Sequence, residues 1–215
     1  MKVKWLGHSC FLITSDEGTR LITDPYTVGA GINYSAIRES ADVVTVSHEH
    51  GDHNNASAVK GNPQVIKGSG TKNAAGIEFK GVATYHDDSR GRERGANTVF
   101  CFTVDGVRLC HLGDLGHLLS QEQVASIGAV DILFIPIGGF FTIDAAAASE
   151  VCRQLKPKVI IPMHFRTPRC AYPISTADSF LKGKERVRRW DKSEGEFRAE
   201  GLPAENEIVV LQPAL

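Results

Sequence analysis

The chain opens with short apolar runs broken by polar turn residues. "KVKWL" (2–6) and "CFLIT" (10–14) read as strands, "SDEGT" (15–19) as a turn, and "RLITD" (20–24) as a third strand. "VGAGINYSAIRES" (28–40) is a Gly-rich loop that runs into a polar segment. "DVVTVS" (42–47) is a short β-branched run, typical of a strand buried on both faces. "NASAVKG" (55–61) predicts one or two helical turns, "PQVIKG" (63–68) a short strand, and "GIEFKGVATYH" (76–86) two short strands or one bent one. The clearest local signal is "TVFCFTVDGVRLCHLGD" (98–114), two apolar strands joined through Asp-Gly.

The rhythm then changes to alternating helix and strand. "LSQEQVASIG" (119–128) has a Ser cap, an acidic first turn and a final Gly, so it predicts a helix. "DILFIPIGG" (131–139) is a strand, and the Ala-rich "TIDAAAASEVCRQLKP" (142–157) is a helix stopped by Lys156-Pro157. "KVIIPMH" (158–164) is again a strand, "STADSFLKG" (175–183) a short helix, and "EIVVL" (207–211) the last strand. A strand-rich half followed by an alternating half predicts sheets covered by helices in one domain, 1–215.

Composition narrows the function classes. The chain has 215 residues, 42% hydrophobic and 23% charged, enough for a sizeable core. A net charge of −1 gives no overall attraction to nucleic acid or an anionic membrane. No apolar run approaches the roughly 20 residues that span a bilayer. The apolar start is interrupted by Gly7, His8 and Ser9 with no small-residue cleavage site after it, so a cytoplasmic address is expected. The five cysteines form no CxxC pair, and buried free thiols are expected; Cys101 and Cys110 flank the hairpin, where a reducing cytosol argues against a bond.

Candidate chemistry gathers at strand ends. "VVTVS" runs into His48, His50, Asp52 and His53, "GVATY" into His86, "VRLCHLG" into Asp114 and "VIIPM" into His164. Sites in α/β sheets form beyond the carboxyl ends of strands, where loops converge. If these ends share one edge, their five histidines and two carboxylates suffice for two metal ions. His48 and His50, two residues apart, point the same way in extended backbone and can chelate one ion. Gly51 permits the bend that turns Asp52 and His53 toward a neighbouring position.

"HEHGDH" matches the HxHxDH motif of the metallo-β-lactamase superfamily. "LITDPY" with Asp24, "TYHDD" with His86, "HLGDLGH" with Asp114 and "IPMHF" with His164 follow in that superfamily's order. Together with "GHSCF" and "PIGGFFTID", the set is most similar to small metal-dependent hydrolases related to ascorbate-6-phosphate lactonase, over about residues 1–211. The resemblance implies an α/β fold, a four-layer αβ/βα sandwich of two mixed β-sheets flanked by helices. It implies that His48, His50 and His86 hold a first divalent ion, that Asp52, His53 and His164 hold a second, and that Asp114 bridges them. Asp24 would orient the histidine loop. Zinc is the expected metal, ahead of manganese and iron.

The expected reaction is hydrolysis of a phosphorylated lactone, a phosphodiester or another ester-like small molecule. Asp52 would accept a proton and His117, three residues after Asp114, would assist the leaving group. His8 is open between a structural hairpin role and a place at the site. His111 is expected to be packed in the core, and Gly138 and Gly139, with Phe140, Phe141 and Thr142, are open between shaping the cavity and forming a turn before a helix, which are compatible. "DDSRGRERGAN" (87–97) puts Arg90, Arg92 and Arg94 after His86, where they are open between meeting an anionic substrate and lying in an ordinary exposed loop. "KGKERVRRWDK" (182–192) reads as a solvated face rather than a phosphate-binding one. The alternatives are an iron-dependent oxidoreductase on the same scaffold, because imidazole and carboxylate ligands do not select the metal, and a nuclease. The charge balance and the lack of a clamping domain weigh against nucleic acid.

Overall fold

Alternation along the first strands assigns two faces. In β1 (Lys2–Gly7), β2 (Cys10–Thr14), β3 (Arg20–Thr23) and β4 (Val43–Val46), odd-numbered Val3, Trp5, Phe11, Ile13, Leu21 and Val43 enter the main core. Even-numbered Leu6, Leu12, Ile22, Val44 and Val46 enter a smaller cluster on the opposite face. This sheet is therefore apolar on both sides and must be covered on both.

The computed structural model describes residues 1–215. The remaining strands are β5 (Gln64–Lys67), β6 (Gly70–Ala74), β7 (Ile77–Tyr85), β8 (Ala96–Val104), β9 (Val107–His111), β10 (Ile132–Pro136), β11 (Val159–Met163), β12 (Val187–Arg189), β13 (Glu194–Glu196) and β14 (Glu207–Val210). A six-stranded sheet has the order β13-β1-β2-β3-β4-β5, and an eight-stranded sheet the order β12-β14-β11-β10-β9-β8-β7-β6. Both are mixed: β1, β2 and β3 pair antiparallel before parallel β4 and β5, and β6 to β9 pair antiparallel before parallel β10, β11, β14 and β12.

Aromatic side chains pack the sheets together. Phe11 of the first lies 4.5 Å, centroid to centroid, from Phe134 of the second, with His111 at 6.3 Å. The helices α1 (Gln121–Ile127), α2 (Ala145–Leu155) and α3 (Ala177–Leu181) add Ile127, Ala148, Val151, Leu155 and Phe180 to the same core. Ser120 and Gln123 form a capping box on α1, and Asp144 caps α2 through the Ala147 amide. Over the outer face of the six-stranded sheet, irregular chain supplies Tyr26, Ile32, Tyr34 and Ile37, with one 3-10 turn, Ala56–Ala58.

The Asp105-Gly106 turn has both residues at positive φ, 49° and 74°, as a two-residue hairpin requires. Residues 77–85 form one strand rather than two. Three strands carry no apolar signal in the sequence: β6, β12 and β13, "GTKNA", "VRR" and "EGE". All three are sheet edges. An edge strand is held by one ladder of backbone hydrogen bonds and gains from polar side chains, which discourage pairing with other chains. In the basic segment, Arg186, Arg188 and Arg189 pair with Glu205, Glu207 and Asp178, so it is a solvated face.

Replacing Phe134 with Ala should remove about 3–5 kcal/mol of stability. A lowered denaturant midpoint with an unchanged m-value would show it.

Candidate metal centre

The histidine loop is tied down by one buried carboxylate. Asp24, fully buried just after β3, accepts from the Ser47 amide at 2.8 Å and the Ser47 hydroxyl at 2.5 Å, and pairs with His53 Nδ1 at 2.9 Å. Ser47 Oγ also meets His48 Nδ1 at 2.9 Å. The His53 and Asn54 amides donate to the His50 carbonyl and close the turn. Both ends of the loop are therefore fixed, and the Nε2 atoms of His48 and His53 face inward, as oriented metal-binding histidines require.

Asp114 is held with equal care. Its amide donates to Asn97 Oδ1 at 3.0 Å, and Asn97 Nδ2 donates in turn to Thr84 Oγ1 and the Leu112 carbonyl. Gly113 makes this approach possible. Its φ is +55°, and a Cβ there would lie 2.4 Å from Asn97 Oδ1 and 2.6 Å from Ser47 Cβ.

Asp114 Oδ2 is the meeting point of four imidazoles. It lies 3.1 Å from His86 Nε2, 3.2 Å from His53 Nε2, 3.3 Å from His164 Nε2 and 3.8 Å from His48 Nε2. Two donor groups flank it: His48, His50 and His86 on one side, and His8, Asp52, His53 and His164 on the other, each with its ligand atoms within 4.8 Å of one another. His8, open in the sequence, belongs to the second group; its Nε2 is 3.2 Å from Asp52 Oδ2.

The environment favours the metal-ready form of most donors, with His53 the exception in the absence of an ion. Burial pushes the His48 and His8 imidazoles down to about 3 and about 4, helped by the neighbouring His53 and His164 respectively, and it lowers His50 as well. Burial also opposes a charge on His53, but Asp114, Asp52 and Asp24 outweigh it and raise its pKa well above the ordinary value. Burial works against the carboxylates of Asp24, Asp52 and Asp114, yet the surrounding histidines hold all three below the usual range.

The donor set fits a metal. His53 Nε2, buried and facing the other donors, has no hydrogen-bond partner, and neither has Asp114 Oδ1. Each unpartnered buried group costs about 1–3 kcal/mol. Ligand atoms bound at about 2.0–2.1 Å to a tetrahedral zinc lie roughly 3.3 Å apart, close to the 3.1 Å between His48 Nε2 and His50 Nδ1 and the 3.1 Å between His86 Nε2 and Asp114 Oδ2.

A cleft of about 240 Å³ opens onto these donors, lined by His50, Asp52, His86, Arg94, Asp114, Phe141, His164 and Tyr172. All seven expected ligands, with Asp24 and His8, are thus brought together. His117 is not. Its Nε2 accepts from the Tyr85 amide and its Nδ1 bonds the Leu118 carbonyl, so both ring nitrogens are taken by backbone away from the cleft lining. His111 is packed in the core as expected, bonded to the Ser9 carbonyl. Gly138 lets the chain pass the His164 carbonyl, Phe141 forms a cleft wall, and Phe140 is 65% exposed. The sequence reading missed Tyr172, whose hydroxyl donates to Asp52 Oδ2 at 3.3 Å, and Asn97; neither residue type at those positions signals metal chemistry.

Comparison with known proteins agrees with this geometry. The family model of the beta-lactamase superfamily domain matches residues 2–164. A UPF0173 metal-dependent hydrolase of Carboxydothermus hydrogenoformans is 31% identical, covering 99% of this chain and 97% of its own. The chain belongs to the metallo-β-lactamase superfamily. Within it, it is similar to a second UPF0173 metal-dependent hydrolase, from Archaeoglobus fulgidus, at 28% identity over 99% of this chain and 96% of that one. A solved structure from Thermotoga maritima, described as a candidate zinc-dependent hydrolase of the superfamily, is 38% identical, with a TM-score of 0.82 over 98% of this chain and 97% of its own. The diiron β-hydroxylase CmlA of Streptomyces venezuelae shares the fold alone, at 16% identity and a TM-score of 0.53, covering 76% of this chain and 44% of that one.

Two substitutions separate the roles within this superfamily member. Asp24→Ala should weaken metal affinity about 10–100-fold, read by competition with a chelator, because it frees the histidine loop. His117→Ala should leave metal content and turnover unchanged within about twofold, since surface changes away from such networks are small.

Proposed function

We propose that the chain is a binuclear metal-dependent hydrolase acting on a small ester-like molecule, a phosphorylated lactone or a phosphodiester, with zinc as its metal. The observation that carries this reading is the position of Asp114 Oδ2 between two complete donor groups. His48, His50 and His86 would hold one ion, Asp52, His53 and His164 the other, and Asp114 both. When bound, such a pair of ions lowers the pKa of a shared water and polarises the target oxygen.

The chain's own groups do the rest. Asp52 Oδ2, held by His8 Nε2 at 3.2 Å and the Tyr172 hydroxyl at 3.3 Å, is placed to take a proton at the cleft floor. Tyr172 keeps its proton, because burial and the adjacent Asp52 charge raise its pKa, so it is a donor on the cleft wall in the place first given to His117. Phe141, packed at 5.4 Å against the Tyr172 ring, narrows the opening to water.

A cleft of about 240 Å³ suits a small molecule, and basic residues already paired with acids argue against a nucleic-acid substrate. Residues 1–215 act as one domain in this reading, since the main core draws on side chains from Met1 to Leu211. No helix is long and apolar enough to cross a membrane. Five free cysteines, including the Cys101 and Cys110 sulfurs 3.8 Å apart across paired strands, suit a reducing compartment such as the cytoplasm.

Metal analysis of protein purified without chelator should find about two equivalents of zinc or manganese per chain. Asp114→Ala should retain at most about one and lose at least about 100-fold in turnover of lactones or phosphodiesters. Full metal content and activity in that variant would sink the bridging role. Predominant iron would bring the oxidoreductase forward.

A further inference from the structure

The segment after His86 carries three arginines, and the fold treats them differently. Arg90 and Arg92 are exposed. Arg94 lines the metal cleft, with its guanidinium 5.8 Å from the centroid of the Phe141 ring. We infer that Arg94 is the anion-recognition residue of this cleft, and that the substrate carries an anionic oxygen group, phosphate or carboxylate, beside the bond to be broken.

The loop that presents Arg94 is built from its backbone. Buried Asp87 accepts from the amides of Ser89 at 2.9 Å, Gly91 at 2.7 Å, Glu93 at 3.1 Å and Arg94 at 2.8 Å. The His86 amide donates to the Gly95 carbonyl at 3.0 Å, joining the far end of the loop to a residue of the metal centre. None of these bonds uses the Arg94 side chain. The guanidinium is therefore positioned by the loop without holding the loop together.

Its donors are also largely unspent. The one charged partner is neighbouring Glu93, at 3.4 Å and itself 60% exposed, a contact that water screens strongly. Asp52 and Asp114, which line the same cleft, are engaged by His8 and His86 instead. An arginine fork held over an aromatic face, with most of its donors free, matches the oxygens of a carboxylate or phosphate in a bidentate manner. Two divalent ions would outweigh the carboxylates around them, so the loaded cleft would favour anions at both ends.

The inference rests on the hydrolase reading of the same cleft but is tested by binding. Metal-loaded wild type, Arg94→Ala, Arg94→Lys and Arg90→Ala would be titrated calorimetrically with glucose 6-phosphate, gluconate and glucose, with metal content measured in each. Arg94→Ala should weaken the preferred anion at least about tenfold, Arg94→Lys should fall between it and wild type, and Arg90→Ala should stay within about twofold. The phosphate and carboxylate arms identify which anion the cleft prefers, and glucose should show no dependence on Arg94. Absence of anion binding by wild type, or equal affinity in wild type and Arg94→Ala, overturns the inference. Ester hydrolysis measured in parallel keeps the two readings apart: turnover without Arg94-dependent binding discards only the anion site, and Arg94-dependent binding without turnover discards only the hydrolase.

Discussion

Four histidines from three segments of the chain reach one carboxylate oxygen, Asp114 Oδ2, and the rest of the structure is arranged around that meeting. His48 and His53 come from the loop after β4 in one sheet, while His86, Asp114 and His164 follow β7, β9 and β11 in the other. They meet because the two sheets pack through Phe11 and Phe134 and present these strand ends on the same rim. The apolar core sets the distance between the sheets, and the site inherits its precision from that packing. Loops alone would not hold so many donors together, since each would lose conformational entropy without compensating contacts.

The same arrangement burdens the metal-free protein. Most of the donors are buried, several have no hydrogen-bond partner, and burial disfavours charge on His48, His8 and His50. The shell around them limits the cost. Asp24 satisfies Ser47 and His53, and Asn97 satisfies Asp114 and Leu112. Of what remains unsatisfied, His53 Nε2 faces the other donors, where an ion would sit. Metal binding in such a site contributes to folding stability as well as to chemistry, because the unfolded chain offers no preformed ligand set.

The superfamily fold fixes the kind of centre but not what enters it. That second choice lies with the cleft walls: Tyr172, Phe141 and Arg94 are contributed by loops outside the ligand motifs. Arg94 is presented by a turn whose backbone amides are gathered on Asp87, and Tyr172 is pressed against His8 and Phe141. A rigid set of donors beside separately built walls would let specificity change without disturbing the donors.

The sequence by itself singled out the candidate metal ligands: strand patterning placed His48, His50, Asp52, His53, His86, Asp114 and His164 just past strand ends, where they could meet, and the resemblance to the superfamily implied their division between two ions. It also determined most strands and all three helices, since burial on one or both faces leaves an apolar period. It left β6, β12 and β13 unseen, because edge strands are held by backbone ladders that leave no side-chain pattern. Only the tertiary structure decided which of the remaining polar residues lie at the site. His117 lies close to Asp114 in sequence, yet backbone groups of residues 85 and 118 take both its nitrogens. His8 and Tyr172 are 44 and 120 positions from Asp52, yet they reach its carboxylate. Contacts across such separations depend on how the two sheets pack, a long-range property that no local period encodes.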